Sequence, residues 1–210
     1  EVVLNAQKKK VFNLNRLSDY QDTSIYAGKK TEVIQVAQIP ANIASNNARQ
    51  IYAQISGLNI YQNDDAGLQL NIGGRGLDPN RTSNFNTRQN GYDISADVLG
   101  YPESYYSPPA EAIEEIQIIR GAASLQYGTQ FGGLVNFKLI TPNPNKRFEL
   151  KTRNTIGSND LYTNYTQVNG KIKSFSYLGY FNFKSGKGFR PNSRFDSRNY
   201  FSQFKYQINE

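Results

Sequence analysis

Glu111-Ala112-Ile113-Glu114-Glu115-Ile116-Gln117-Ile118-Ile119-Arg120-Gly121 runs into Ala122-Ala123-Ser124-Leu125-Gln126-Tyr127-Gly128 and then, after a short gap, Gly132-Gly133-Leu134-Val135-Asn136. Ile116, Ile118 and Ile119 mark a buried strand that stops at Arg120-Gly121. Small residues around Ala122–Tyr127 predict a short helical turn. Gly132-Gly133 then opens a second strand, Leu134 to Ile140. Two apolar strands joined by a short, glycine-flanked connection are the centre of a small sheet.

Upstream, residues 1–30 are polar and carry no sustained period, and Lys8-Lys9-Lys10 reads as a solvated linker. Thr31 to Val36 predicts a strand, which Pro40 closes off. Ala48, Ile51, Tyr52 and Ile55 share one face of an amphipathic helix, with Ser45 as its N-cap and Gly57 as its stop. Leu58 to Tyr61 predicts another strand. Leu68, Leu70 and Ile72 alternate as the next, interrupted by Gly73-Gly74-Arg75-Gly76. Residues 78–90 and 95–109 read as long polar loops, the second with a one-turn helix opening at Ser107-Pro108-Pro109. Loops of this length in a compact domain are usually functional. The elements add up to a small α+β domain, a short mixed sheet with small helices.

Downstream the character changes at Thr141-Pro142-Asn143-Pro144-Asn145. Residues 1–147 hold 14 Lys/Arg against 13 Asp/Glu, whereas residues 148–210 hold 10 against 4. Of the net charge of +7, six units therefore lie in the tail. Phe175, Tyr177, Phe181 and Phe183 alternate with Ser174, Ser176, Tyr180, Asn182 and Lys184. Phe204 and Tyr206 alternate with Gln203, Lys205 and Gln207. The pattern predicts antiparallel strands near 147–157, 160–169, 173–184 and 198–209, with Asn169-Gly170 as a hairpin signal. Strands of about ten residues suit a tilted transmembrane barrel, with aromatics toward lipid and the basic face toward the lumen. Period alone fits a half-buried sheet in water equally well.

The 210 residues include no Cys, His, Met or Trp. That excludes disulfides, thiolate chemistry, Ser-His-Asp triads and most transition-metal sites, so no catalytic or metal-ligating set is assigned. Glu111, Glu114 and Glu115 read as a solvated edge. Gly73–Gly76 lacks the spacing of a phosphate loop. The basic pI of about 9.4 raises nucleic-acid binding. Bases and aromatics fall on opposite faces, however, so no nucleic-acid partner is expected. The missing initiator Met is expected of a processed or incomplete chain. No apolar run reaches the length of a transmembrane helix.

Taken together, the segments 111–121, 122–128 and 132–136 resemble the plug of TonB-dependent outer-membrane receptors. Gly73–Gly76 resembles its upstream Arg-Gly element and Ile55-Ser56-Gly57-Leu58 its entry. The stretches Asn80–Ile94 and Tyr101–Tyr106 look most like the ferric-citrate-receptor branch. Glu1-Val2-Val3-Leu4-Asn5-Ala6 resembles a TonB box, which would add an extended strand to its periplasmic partner by main-chain pairing. The resemblance implies a TonB-box leader (1–30), a plug (31–145) and about four first strands (146–210) of an incomplete transmembrane β-barrel of about 22 strands. It implies the bacterial outer membrane as location, with the leader facing the periplasm.

The implied partners are TonB, outer-membrane lipid and an anionic iron chelate. Iron would be carried only as cargo, with no cofactor. Glu1, Val2, Val3 and Leu4 would touch TonB. Arg75 and Arg120 would pair with barrel glutamates beyond residue 210, the alternative being local turn or strand-end contacts. Glu115 and Gln117 depart from the family pattern and put an ion pair within the plug in question. Arg81, Arg88, Gln89, Tyr101, Tyr105 and Tyr106 would contact the chelate, because guanidinium forks match carboxylates. Another siderophore, haem, cobalamin or an oligosaccharide remains open as cargo. So does a partial receptor held as client by an outer-membrane assembly machine, since four strands cannot close a barrel.

Overall fold

A computed structural model describes residues 14–21, 24–27, 30–96, 101, 103–121, 126–127 and 132–208. Glu1, Val2, Val3 and Leu4 lie outside these. A hairpin of β1 (Tyr20–Gln21) and β2 (Ser24–Ile25) precedes β3 (Lys30–Gln35). One helical turn, α1 (Ala48–Ile51), leads to the small pair β4 (Leu58–Ile60) and β5 (Ile72–Gly74). Next come β6 (Phe85–Gln89), β7 (Tyr92–Asp93), β8 (Ile113–Arg120) and β9 (Gly133–Leu139). The first sheet has the order β3-β8-β9-β6-β7, with β6 and β9 parallel and the other neighbours antiparallel.

The isoleucines of β8 are buried on both faces. Ile116 and Ile118 enter the main core with Ile34, Ile72, Phe85, Val135 and Phe137. Ile119 packs on the other side with Leu134 and Tyr26. Gln117, on the Ile119 face, is satisfied by a polar chain. Gln35 and Gln117 donate to Glu115 at 2.9 and 2.6 Å, and Asn136 donates to Gln117 at 2.9 Å. At the two family departures, an amide–carboxylate hydrogen bond from Gln35 to Glu115 joins β3 to β8 and an amide–amide hydrogen bond from Asn136 to Gln117 joins β9 to β8, and Glu115 has no ion-pair partner among the described residues.

Several expectations need correction. Residues 85–89 are a strand, not loop. Its polar sequence hid it, because Asn86 and Arg88 are satisfied by partners on β7 and beyond. The helix is capped by Asn47, whose side chain accepts from Gln50 N, and not by Ser45. Gly73 and Gly74 lie within β5, and Leu68 and Leu70 precede it. The turn near residue 110 is a 3-10 turn at Ala110–Ala112. Most of the turn expected at 122–127 lies outside the described residues.

The second sheet is a meander of β10 (Glu149–Gly157), β11 (Leu161–Ile172), β12 (Phe175–Gly186) and β13 (Phe195–Tyr206). Asn169-Gly170 lies inside β11, and the turn falls at Lys173, which takes a left-handed φ of 54°. Gly170 has another reason to be glycine. A Cβ there would lie 2.1 Å from the Arg147 carbonyl, where the chain entering β10 crosses.

Tyr165, Leu178 and Tyr180 from the inner face complete the core of the first sheet. The outer face leaves Ile156, Phe181, Tyr200, Phe204 and Tyr206 exposed. The tail's charge is not concentrated on the inner face. By register, Lys151, Arg153, Lys171, Lys184 and Lys205 share the inner face, while Arg198 is on the outer one. Lys187, Arg190 and Arg194 lie in the β12–β13 loop.

Candidate functional site

Three loops meet at one end of the first sheet. The Ser104 backbone N–H donates to the Arg81 carbonyl at 2.8 Å, and Gln69 donates to the Ser104 carbonyl at 3.0 Å. Arg81 and Thr82 both take left-handed φ angles, 51° and 55°. Such strain persists only where surroundings fix it. Here the Thr82 hydroxyl donates to Leu70 O at 2.6 Å, and Asn71 Oδ1 accepts from Arg81 N at 2.8 Å. The turn directs the Arg81 side chain outward, where it is 46% exposed.

Arg81 Cζ lies 5.4 Å from the centre of the Tyr105 ring, and Arg81 Nη1 donates to the Tyr105 hydroxyl at 3.4 Å. That hydroxyl donates to Glu103 at 2.7 Å, and Arg81 is 3.8 Å from the same carboxylate. The hydrogen bond to Glu103 raises the Tyr105 pKa above the ordinary phenol value. Tyr101 is also exposed. An anion arriving here meets an outward guanidinium, the Tyr105 phenol and one competing carboxylate, Glu103, which sequence reading missed.

The other candidates turn inward. Arg88 Nε donates to Asn86 at 2.7 Å, Nη1 to the Gly91 carbonyl at 2.6 Å and Nη2 to the Tyr127 carbonyl at 3.0 Å. Its guanidinium also stacks 5.0 Å from the Tyr127 ring. Those bonds hold Arg88 as a brace of β6, so it does not join Arg81. Gln89 is buried and accepts from the Tyr106 hydroxyl at 3.2 Å. Tyr106 reaches the Tyr180 hydroxyl at 2.9 Å, and burial raises its pKa despite that hydrogen bond. Gln89 and Tyr106 thus join the first sheet to the second.

Two further contacts cross the same seam. Lys184 is buried and donates to the Ala66 carbonyl at 2.6 Å. Glu111, expected at a solvated edge, is buried because the second sheet covers it, and it lies 3.8 Å from Arg153. Its Oε2 has no hydrogen-bond partner among the described residues. Burial raises the Glu111 pKa from 4.5, opposed by Lys184, Arg153 and Lys151, while Tyr165 faces it from β11. The folded state therefore keeps this proton to higher pH than the unfolded chain. The resulting stability is full below pH 4.5 and is lost as pH rises through the raised value. Melting the protein across this range should show stability falling with pH, and Glu111→Gln should flatten the fall. An identical slope in the variant would remove Glu111 as its source.

Arg120 is buried, pairs with Glu32 of β3 and donates to the Ser56 carbonyl at 3.0 Å. The structure thus gives Arg120 local partners, the strand-end alternative. Arg75 is exposed on a turn with φ 58°, its guanidinium beside Gly121.

A small mixed sheet whose core is completed by the inner face of an antiparallel wall defines a plug seated against part of a barrel. Residues 25–134 match the TonB-dependent Receptor Plug Domain family, and the chain belongs to that family. Among solved structures, the unliganded ferric citrate transporter FecA is similar at 20% identity and TM-score 0.69, covering 88% of this chain and 29% of that one. FpvA of P. aeruginosa bound to heterologous pyoverdines is similar at 16% identity and TM-score 0.66, covering 87% and 24%. The copper transporter OprC is similar at 18% identity and TM-score 0.59, covering 85% and 28%. The chain therefore spans less than a third of the length of these proteins, and at such identities they share its fold.

Proposed function

We propose that this chain forms the plug and first strands of a TonB-dependent outer-membrane transporter that imports an anionic iron chelate of the ferric citrate kind. The observation that carries the reading is Arg81. Its guanidinium is turned outward by a strained, hydrogen-bonded turn and flanked by Tyr105. Tyr101 and Tyr105 supply hydrogen-bonding walls, and cargo carboxylates compete with Glu103 for the fork. Iron enters only within the chelate. Residues 1–30 serve as leader, 31–145 as plug and 146–210 as barrel wall, with the exposed aromatic outer face toward lipid. Arg75, exposed at its turn, is the arginine available to a barrel glutamate.

The cargoes of the similar structures differ, so the test compares cargoes. Ferric citrate, a neutral siderophore and cobalamin are titrated against the intact receptor and its Arg81→Ala variant. Loss of a charge-assisted hydrogen bond of about 1.5–3 kcal/mol predicts ferric citrate binding weakened by about tenfold to a hundredfold. Unchanged affinity would remove Arg81 from the site, and preference for a neutral cargo would overturn the anionic reading.

A further inference from the structure

Lys184, on the inner face of β12, is only 2% exposed. Burying an ammonium is costly unless its protons find acceptors, so its place is set by what it binds. It reaches across the seam and donates to the Ala66 carbonyl at 2.6 Å, and Ala66 is itself fully buried. Asp64 and Glu111, both on the plug side, are the acids whose charges reach it. A second wall contact falls on the same plug loop, where Asn159 of the β10–β11 turn donates to Asp65 at 3.3 Å.

The loop that receives these contacts is tightly closed. Asp64 Oδ1 accepts from Ala66 N at 2.9 Å and from Leu68 N at 3.0 Å. The Gly67 carbonyl accepts from the buried Asn46 side chain at 3.1 Å. Gly67 takes a φ of 57°, and a Cβ there would lie 2.4 Å from the Asn46 carbonyl, so only glycine fits. The residues that follow in sequence are the floor of the Arg81 turn. Gln69 donates to Ser104 O, Leu70 O accepts from the Thr82 hydroxyl, and Asn71 Oδ1 accepts from Arg81 N. Ile72 N adds a bond to Thr82 Oγ1 at 3.3 Å.

We infer that Lys184 is a positioning residue for Arg81. By holding loop 64–68 against the wall, it keeps residues 69–72 where they turn the guanidinium outward. The cargo-binding arrangement then exists only while the plug is seated on β12. Buried as it is, Lys184 acts through Arg81 and not on the cargo. Withdrawal of the plug breaks the Lys184–Ala66 bond and frees the floor of the turn, so cargo release follows from plug movement. The inference rests on the reading of Arg81 as a cargo contact, and its structural half is tested without cargo.

The test uses the intact receptor with Lys184→Met, which keeps an unbranched side chain and removes the donor. Hydrogen exchange is read first, in the absence of cargo. The amides of Ile72, Arg81 and Ser104 should exchange about tenfold to a hundredfold faster in the variant, with the β8–β9 amides unchanged. Asp64→Ala loosens the same loop from the plug side, leaves the wall intact and should speed the same amides. Ferric citrate affinity is then measured in a cycle with Arg81→Ala. Lys184→Met should weaken binding about threefold to tenfold when Arg81 is present, and by less than about twofold when it is absent. Equal weakening in both backgrounds, or β8–β9 amides speeded as much as those of the turn, would make Lys184 merely structural and overturn the inference. Unchanged exchange at the turn in both variants would overturn it as well. If the unmodified receptor takes no ferric citrate, the cargo reading fails, while the exchange pattern still decides whether Lys184 holds the Arg81 turn.

Discussion

Phe85→Ala is expected to loosen the plug by about 3–5 kcal/mol, the upper range for a buried aromatic. The Phe85 side chain is fully buried at the start of β6, opposite Gly133 in the parallel β6–β9 ladder. Its ring lies in a slot between two glycines far apart in sequence. A Cβ on Gly74 would be 3.1 Å from the ring, and one on Gly132 would be 2.7 Å away. The two glycine motifs that carry the family resemblance therefore share one physical cause. Glycines have no side chain to collapse into the space that alanine leaves, so relaxation recovers little of the loss. Hydrogen exchange on the intact receptor should show β6 and β9 amides exchanging about two to nearly four orders of magnitude faster. Gly132→Ala should open the same amides from the other side of the slot. Exchange altered by less than tenfold in Phe85→Ala would mean that the ring does not hold the sheet.

The parts of the fold that were legible in the sequence share a feature. β8 and β9 bury apolar runs on both faces, and the outer face of β12 alternates in period two, so burial wrote itself into hydrophobicity. β6 did not, because Phe-Asn-Thr-Arg-Gln is stabilised by specific partners. Asp93 accepts from Asn86 at 2.7 Å, and Arg88 binds two carbonyls. Burial raises the Asp93 pKa, yet hydrogen bonds from Ser95 and Asn86 and the Arg88 charge lower it overall. Asn169-Gly170 misled for a related reason. A turn and a close backbone crossing both demand glycine, and only the position of the Arg147 carbonyl distinguishes them.

The candidate site divides in the same way. Arg81 and Arg88 are chemically equivalent in sequence and opposite in the fold, one turned outward by left-handed backbone and the other locked by three acceptors. Glu103, Glu111 and Lys184 were invisible as site residues, since each acquires its role from a distant segment. Lys184 meets Ala66 across 118 positions of chain, a pairing that no local pattern announces. The charge count flagged an excess of base in residues 148–210. What the fold added was location. Three of those bases gather in a single loop, where they line a cavity.

Deleting residues 1–6 is expected to abolish cargo uptake and leave cargo binding intact. On the proposed transporter reading, uptake would need a handle by which a periplasmic partner acts on the plug. Glu1-Val2-Val3-Leu4 is an apolar, β-prone segment suited to main-chain pairing. The described residues that precede β3 lie where such a pull would arrive. Asn15 bridges Val33, and Leu17 N donates to the Thr31 hydroxyl at 3.1 Å, so residues 15–17 run along β3. β3 is the edge strand of the plug sheet, and its Glu32 holds Arg120. On that reading, force on the leader would load the sheet at its edge, where paired residues separate in succession, and not across the buried β8–β9 centre. The described contacts of Arg81 come from residues 71 to 105, so binding should survive the deletion. Val3→Pro offers the finer discrimination. It preserves length and charge but removes one backbone donor from the segment. If pairing is by main chain, uptake falls with Val3→Pro as with the deletion. Uptake that persists in the deletion would end the TonB-box assignment. Loss in the deletion with full activity in Val3→Pro would mean that the partner reads side chains instead.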